Sequence, residues 1–489
     1  MKDLKDKTIR GGVARLSSQA VNFVVRLGSL MVLARLLDPK DFGLVAMVTA
    51  FTGVLNLFRD FGLSSAAVQR GQVTDEQVST LFWINLLVGV VLAMATIAGA
   101  PVIAAFYHEP DLVGVTASLS MAFVFNAAGV QHSVLLQREL RFTALAIVNT
   151  ISLIFSSSLA IIGAAAGYGY WALVAMTLVL PLATTIGCWV ATRWVPGRPH
   201  RNVGIRSLVR FGGTVTMNGL VYYVASNFDK ILLGRYWGVD ALGLYGRAFQ
   251  LINIPTDNLN TAAGDVAFSV LSRLQNDPPL FRSYFLKGYA IVLTLTLPLS
   301  LACGLFADDV TAVFLGSKWG AAAPVFRLLA PAMMMFAIVN PLGWLLTSLG
   351  LVRRGLTMAI VLAPLMIGAY IVGLPYGPSG VATAYSAVML VWVVPAVAWA
   401  VQGTVLSMRD VVVALSRPMG ASLAGGAVAV VFRFMYGAGI SPFVRLILES
   451  TILLVTFAGV LLFAMGQSSF YFDLLRRSTR QPTASSALS

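Results

Sequence analysis

Arg15, Ser18, Asn22, Arg26 and Ser29 follow one another at spacings of 3, 4, 4 and 3, which is one face of an α-helix. The residues around them are apolar, so this face carries two guanidinium groups into what reads as a membrane span. Arg grips phosphate and carboxylate through paired parallel hydrogen bonds. The chemistry of such a stripe is therefore recognition of an anionic head group, with no bond making. Similar stripes recur. Thr49, Gly53, Asn56 and Asp60 lie on the next helix with Arg59 alongside, and Asn126, Gly129, Ser133 and Gln137 on a later one. Asn218, Tyr222, Ser226 and the pair Asp229–Lys230 form a further set. Arg247, Gln250, Asp257, Thr261 and Asp265 form the last, with Pro255 as an expected kink. A central Arg or Asp costs about 2.5–3.5 kcal/mol on insertion scales, so these faces should look into a bundle or onto water.

The candidate substrate-binding residues are Arg15, Asn22, Arg26, Asn56, Arg59, Asn218, Tyr222 and Arg247. Asp229, Lys230, Asp257 and Asp265 serve either as counter-ions to the arginines or as proton or cation sites, and spacing alone leaves both open. Plainer readings stand beside these: Arg15 near a helix end can snorkel, Asp229–Lys230 can be an interfacial pair, and Asn, Ser and Thr faces bind helices together. His108, His132 and His200 show no ligand-like spacing, and Cys188 and Cys303 sit in apolar runs. Neither a metal site nor a disulfide framework is implied. Asp308–Asp309 reads as a solvated loop pair. No catalytic constellation and no cofactor site emerges.

The elements that must position these residues are membrane helices. The chain is 58% hydrophobic and 11% charged, against about 25% charged in soluble domains. Apolar runs long enough to span a bilayer recur throughout. About fourteen helices are expected, at 12–36, 42–67, 80–106, 112–136, 143–166, 170–193, 208–233, 242–272, 285–306, 322–349, 355–373, 378–402, 411–436 and 443–465. Breaks coincide with turn chemistry at Asp38–Pro39, Pro196–Gly197 and Ser441–Pro442. Alternate loops carry the cations (Arg138 and Arg141; Arg198, Arg201 and Arg206; Arg353 and Arg354), while the others hold Asp38, Asp41, Glu109, Asp111 and Asp240. By the positive-inside rule both termini then face the cytoplasm. The net charge of +14 follows from this bias, and no soluble basic domain exists to bind nucleic acid. The basic start precedes a span without a convincing cleavage site, so a signal peptide is not expected.

A repeat organises these spans. Residues 10–44 align without gaps on 210–244, matching at Arg10/Arg210, Gly12/Gly212, Val21/Val221, Val24/Val224, Leu33/Leu233, Arg35/Arg235, Gly43/Gly243 and Leu44/Leu244. An offset of about six helices is even, so both copies enter the membrane from the same side. That predicts two parallel six-helix lobes, as in transporters built by duplication. The expected division is 1–193 for the N-lobe, 194–207 for a basic cytoplasmic linker and 208–402 for the C-lobe. Two further helices occupy 403–472, and a disordered cytoplasmic tail occupies 473–489.

The runs LARLLDPKDFGLVAM at 33–47, FRDFGL at 58–63 and AVQR at 67–70 resemble the polysaccharide-transporter family of the MOP exporter superfamily. NFDKILLGR at 227–235 and GLYGRA at 243–248 add to the likeness, which is nearest to the Wzx-like exporters of exopolysaccharide and lipopolysaccharide clusters. The resemblance implies an all-α, V-shaped, MATE-like protein of the bacterial inner membrane. It implies a flippase that moves undecaprenyl-pyrophosphate-linked oligosaccharide by alternating access, with pyrophosphate near Arg15, Arg26, Arg59 and Arg247. It implies membrane lipid, a polysaccharide polymerase and export machinery as partners, and allows coupling to a cation gradient. Two rival functions are weighed against it. A MATE-like drug or cation antiporter would want a cavity dominated by acids and about twelve helices. A membrane polymerase or glycosyltransferase would want a substantial outer loop or soluble lobe bearing catalytic acids, and every outer loop here is short.

Overall fold

The computed structural model describes residues 2–58, 74–200, 206–437 and 439–467. Side chains are described at these positions except 2–17, 206–219, 221, 222, 254–263, 265, 266 and 269. Every regular element among the described residues is helical. The first six are α1 (Lys2–Leu36), α2 (Pro39–Phe58), α3 (Asp75–Tyr107), α4 (Leu112–Arg138), α5 (Phe142–Ala165) and α6 (Tyr170–Thr192). There follow α7 (Arg206–Leu271), α8 (Pro278–Leu305), α9 (Ala307–Phe314), α10 (Ala322–Val339), α11 (Leu342–Ser348), α12 (Val352–Gly373) and α13 (Gly377–Val401). The last are α14 (Met408–Tyr436) and α15 (Pro442–Gly459). Eleven stretches among the described residues are long and apolar enough to cross a membrane.

Several boundaries differ from the sequence reading: helices expected to start at 12, 80 and 285 start at Lys2, Asp75 and Pro278, and two breaks have a clear local reason. The turn expected between 233 and 242 is reduced to Gly238, whose φ of 81° and ψ of −173° only glycine adopts readily. Helix runs up to it and resumes after it. Trp237 steadies the bend, donating from its indole N–H to the carbonyl of Leu374 at 2.7 Å. The helix expected over 322–349 divides into α10 and α11 around Asn340–Pro341, where proline supplies no N–H. Over 42–67, α2 starts earlier, at Pro39, and residues 59–73 lie outside the described set.

Helix ends in a membrane must satisfy their own backbone groups. Thr74 and Gln77 exchange hydrogen bonds at the start of α3, at 3.3 and 3.2 Å. Ser407 and Asp410 do the same at the start of α14, at 3.3 and 3.0 Å. These are reciprocal capping boxes.

The chain packs as two compact units: Met1–Asn258, Phe314–Val325 and Gly355–Val388 form one, and Leu259–Val313, Phe326–Arg354 and Met389–Ser489 the other. In the second unit Asp309 corrects the reading of a solvated acidic pair. It is 1% exposed, accepts from Arg445 Nε at 3.0 Å and stands 3.1 Å from Arg433. Arg433 also reaches the buried Glu449 at 3.5 Å, and Arg327 holds Asp308 at 2.5 Å. Three arginines thus neutralise three acids and tie α14 and α15 to α9.

In the first unit the two copies of the repeat meet. A Cβ on Gly43 would overlap the carbonyl of Val239, and one on Gly243 would overlap the carbonyl of Pro39. Positions 39 and 239, like 43 and 243, are equivalent in the repeat, so the contact is isologous. The relation extends outward. The Ala34 carbonyl accepts from the Trp319 indole at 2.7 Å, while its equivalent Gly234 packs on the ring of Tyr107. Arg35 lies against Gly316, and its equivalent Arg235 bonds His108 Nδ1 at 2.7 Å. Each copy therefore reaches the turn after the third helix of the other. Gly43→Val and Gly243→Val are expected to destabilise the protein by about 1–3 kcal/mol each. The readout is the midpoint of thermal unfolding in detergent. Gly28→Ala and Gly99→Ala, in helix interiors where an added Cβ meets nothing within 4 Å, should leave that midpoint level or raise it slightly.

Candidate functional site

Along α1, on the side leading away from this seam, the polar stripe divides into two parts. Ser18 shares a 2.8 Å hydrogen bond with Thr150 of α5 and receives one from Asn22 Nδ2 at 3.4 Å. This part holds α1 to α5, as small polar side chains do between membrane helices. Arg26, eight residues or about 12 Å before Ala34, is exposed and has no carboxylate partner among the described residues.

Arg26 looks into a cavity of about 730 Å³. Asn22 and Asn56 line it from α1 and α2, Asn126 and Ser133 from α4, and Asn149 from α5. The α6 wall is Thr177, Pro181, Thr184 and Cys188, a single helical face in which Pro181 leaves the carbonyl of Thr177 without its helical donor. Packing fixes this wall in place. Thr185 donates to the Phe125 carbonyl at 2.7 Å and Trp189 to that of Ala128 at 2.8 Å. Gly129 is the residue that lets Thr185 come so close to α4. A second space of about 310 Å³ shares Asn22 and Asn149 and continues along Ser18, Gln19 and Gln137. The Oδ1 of Asn22, which lines both, is buried without a hydrogen-bond partner among the described residues.

The chemistry of the lining is selective. Among the described residues Arg26 is its single charged group, amides and hydroxyls supply most of the other polar atoms, and Leu153, Leu180 and Val130 make part of the wall apolar. A cavity of this kind suits one anionic group joined to a hydroxyl-rich body. Among the described residues no group of His, Cys, Asp and Glu is placed to hold a metal.

The structure brings Asn22, Arg26 and Asn56 together and places the other described candidates elsewhere. Arg247 lies 4.2 Å from the ring centroid of Phe42 and donates to Gln250. It belongs to the seam, a cation–π contact beside buried Phe42 and Trp319. Asp229 is buried and accepts from the Tyr245 hydroxyl at 2.8 Å. Lys230 donates to Asn227 at 2.7 Å and stands 5.5 Å from the Phe249 ring centroid. Arg59 lies outside the described residues, as do the side chains of Arg15, Asn218, Tyr222, Asp257 and Asp265. Sequence reasoning missed Asn149, Thr177 and Thr184. The helical spacing of Thr177, Pro181, Thr184 and Cys188 is the signal for this face, and it is weak because its flanks are strongly apolar.

If water fills this cavity, Asn126→Cys and Thr177→Cys, in a Cys188→Ala, Cys303→Ala background, will react with a small water-soluble thiol reagent. Val102→Cys, on an apolar surface at 70% exposure, will not. Equal protection of all three would mean that lipid or packing fills the space.

A family model described as "polysaccharide biosynthesis protein" matches residues 32–324. Over 379 residues the chain is 26% identical to the lipopolysaccharide biosynthesis protein WzxC of Escherichia coli (strain K12), covering 76% of each. Over 335 residues it is 30% identical to the teichuronic acid biosynthesis protein TuaB of Bacillus subtilis (strain 168), covering 68% of each. Among solved structures, the lipid II flippase MurJ in an inward closed conformation has the same fold, with a TM-score of 0.74 at 15% identity. That likeness covers 96% of this chain and 100% of the other.

Proposed function

This chain belongs to the polysaccharide biosynthesis protein family, and from that premise we propose that it flips a polyprenyl-pyrophosphate-linked oligosaccharide across the bacterial inner membrane. The observation that carries the reading is Arg26, the one charged group among the described residues of a cavity whose polar walls are amides and hydroxyls. Its guanidinium binds the pyrophosphate through paired hydrogen bonds. Asn22, Asn56, Asn126 and Asn149 accept and donate to the sugars, while the polyprenyl tail remains in the bilayer. The names of two relatives, a lipopolysaccharide and a teichuronic acid biosynthesis protein, support a cell-surface polysaccharide as the end product.

Transport is by alternating access, in a chain that crosses the membrane fourteen times with both termini in the cytoplasm. The seam at Gly43 and Gly243 is the periplasmic gate, closed while the cavity takes substrate from the cytoplasmic leaflet. Release requires the seam to part. Coupling to a cation gradient is part of the proposal, with the buried carboxyl of Asp229 as the group that senses it.

Deletion of the gene should leave lipid-linked oligosaccharide on the cytoplasmic leaflet, measured by its protection from a periplasmic glycosidase. Arg26→Gln, at normal membrane abundance, should cut export by about 10–100-fold, the worth of a charged hydrogen-bonding pair. A normal transbilayer distribution in the deletion strain, with only chain length lost, would instead assign the protein to polymerisation.

A further inference from the structure

The second compact unit holds a cavity of about 760 Å³ that the transport reading does not use. It lies where α8 and α14 begin, beside Leu461 and Gln467 at the far end of the α15 segment. Both α8 and α14 are apolar enough to cross a membrane, so a cavity that runs from their first turns to about their third opens at a membrane–water boundary and reaches into the span. Four cations line it: Arg282 and Lys287 from α8, Arg409 and Arg417 from α14.

One acid, Asp410, lines it too, and its oxygens are committed. They accept from Arg282 at 3.0 and 2.5 Å and from the Ser407 backbone N–H at 3.0 Å. Arg409 and Arg417 are exposed and have no carboxylate partner among the described residues. They stand two helical turns apart on one face, about 12 Å. Arg417 therefore lies well inside a span, at a depth where an unpaired guanidinium is costly. Between and below the cations the walls are apolar, with Val413, Leu286 and Leu461. Basic pockets between helices at a membrane face are suited to phosphate-bearing lipid head groups.

We propose that this cavity seats the head group of an anionic phospholipid from the surrounding bilayer. The phosphate lies between Arg409 and Arg417, Lys287 flanks it, and the acyl chains run over Val413 and Leu286. The site is separate from the Arg26 cavity and does not depend on the transport reading.

The test uses the full-length protein purified in mild detergent, with phosphatidylglycerol as probe and bound lipid counted by native mass spectrometry. Phosphatidylglycerol should be retained in preference to phosphatidylcholine, and millimolar inorganic phosphate should not displace it. Arg409→Gln with Arg417→Gln should lower retention about tenfold. Lys40→Gln with Arg198→Gln, which removes the same charge from exposed positions elsewhere, should change nothing. Should the first pair fold poorly, Lys287→Gln alone should still weaken retention several-fold. Unchanged phosphatidylglycerol binding in the α14 or Lys287 variants overturns the proposal. So does an equal loss in the control pair, which would mean diffuse attraction to a basic protein. Displacement by inorganic phosphate would make the occupant a free anion and also overturn the lipid assignment.

Discussion

The close crossing of two backbones at Gly43 and Gly243 is the constraint on which the rest of the first unit depends. Each glycine lies where a methyl group would overlap a carbonyl of the opposite copy. Small residues are what allow membrane helices to approach in this way, since lipid offers no hydrophobic drive for association. Once the crossing is made, the neighbouring contacts are set by symmetry. Ala34 and Gly234 each meet an aromatic residue of the other half, and Arg35 and Arg235 each meet its turn. The matched residues of the repeat build this contact.

The polar cavity has the opposite character. Its charged residue, Arg26, has Ser226 as its counterpart at an offset of 200, and Asn22 has Tyr222. The two copies share a framework, and the residues of the first that line the cavity are ones at which they differ. One cation among the described lining residues, with amides and hydroxyls around it and apolar side chains between them, favours an occupant with one concentrated charge and many weaker polar atoms. An acid-lined cavity would favour the reverse.

Much of this was legible in the sequence because membrane helices are written in long apolar runs and their ends in turn chemistry. The stripe of Ser18, Asn22 and Arg26 could be read as one face from spacing alone. Which part of the face binds a neighbouring helix and which faces open space depends on α5, and spacing cannot show that. Arg247 illustrates the same limit. Its depth within a span marked it as important, yet it lies on Phe42 in the seam and does not line the cavity. Asp309 was misread because its partner Arg445 lies 136 residues later, too far for any local pattern to register. Gly43 and Gly243 were visible as matches, but only the fold shows that they touch the equivalent stretch of the opposite copy.

The gate proposed at this seam must open during turnover. Spin labels at Lys40→Cys and Asp240→Cys, equivalent exposed positions beside the crossing, report this directly by pulsed electron resonance in nanodiscs. The resting protein should give one short distance distribution. Addition of lipid-linked oligosaccharide should bring in a second, longer population. A single unchanged short distribution in protein that still transports would contradict a gate at Gly43 and Gly243.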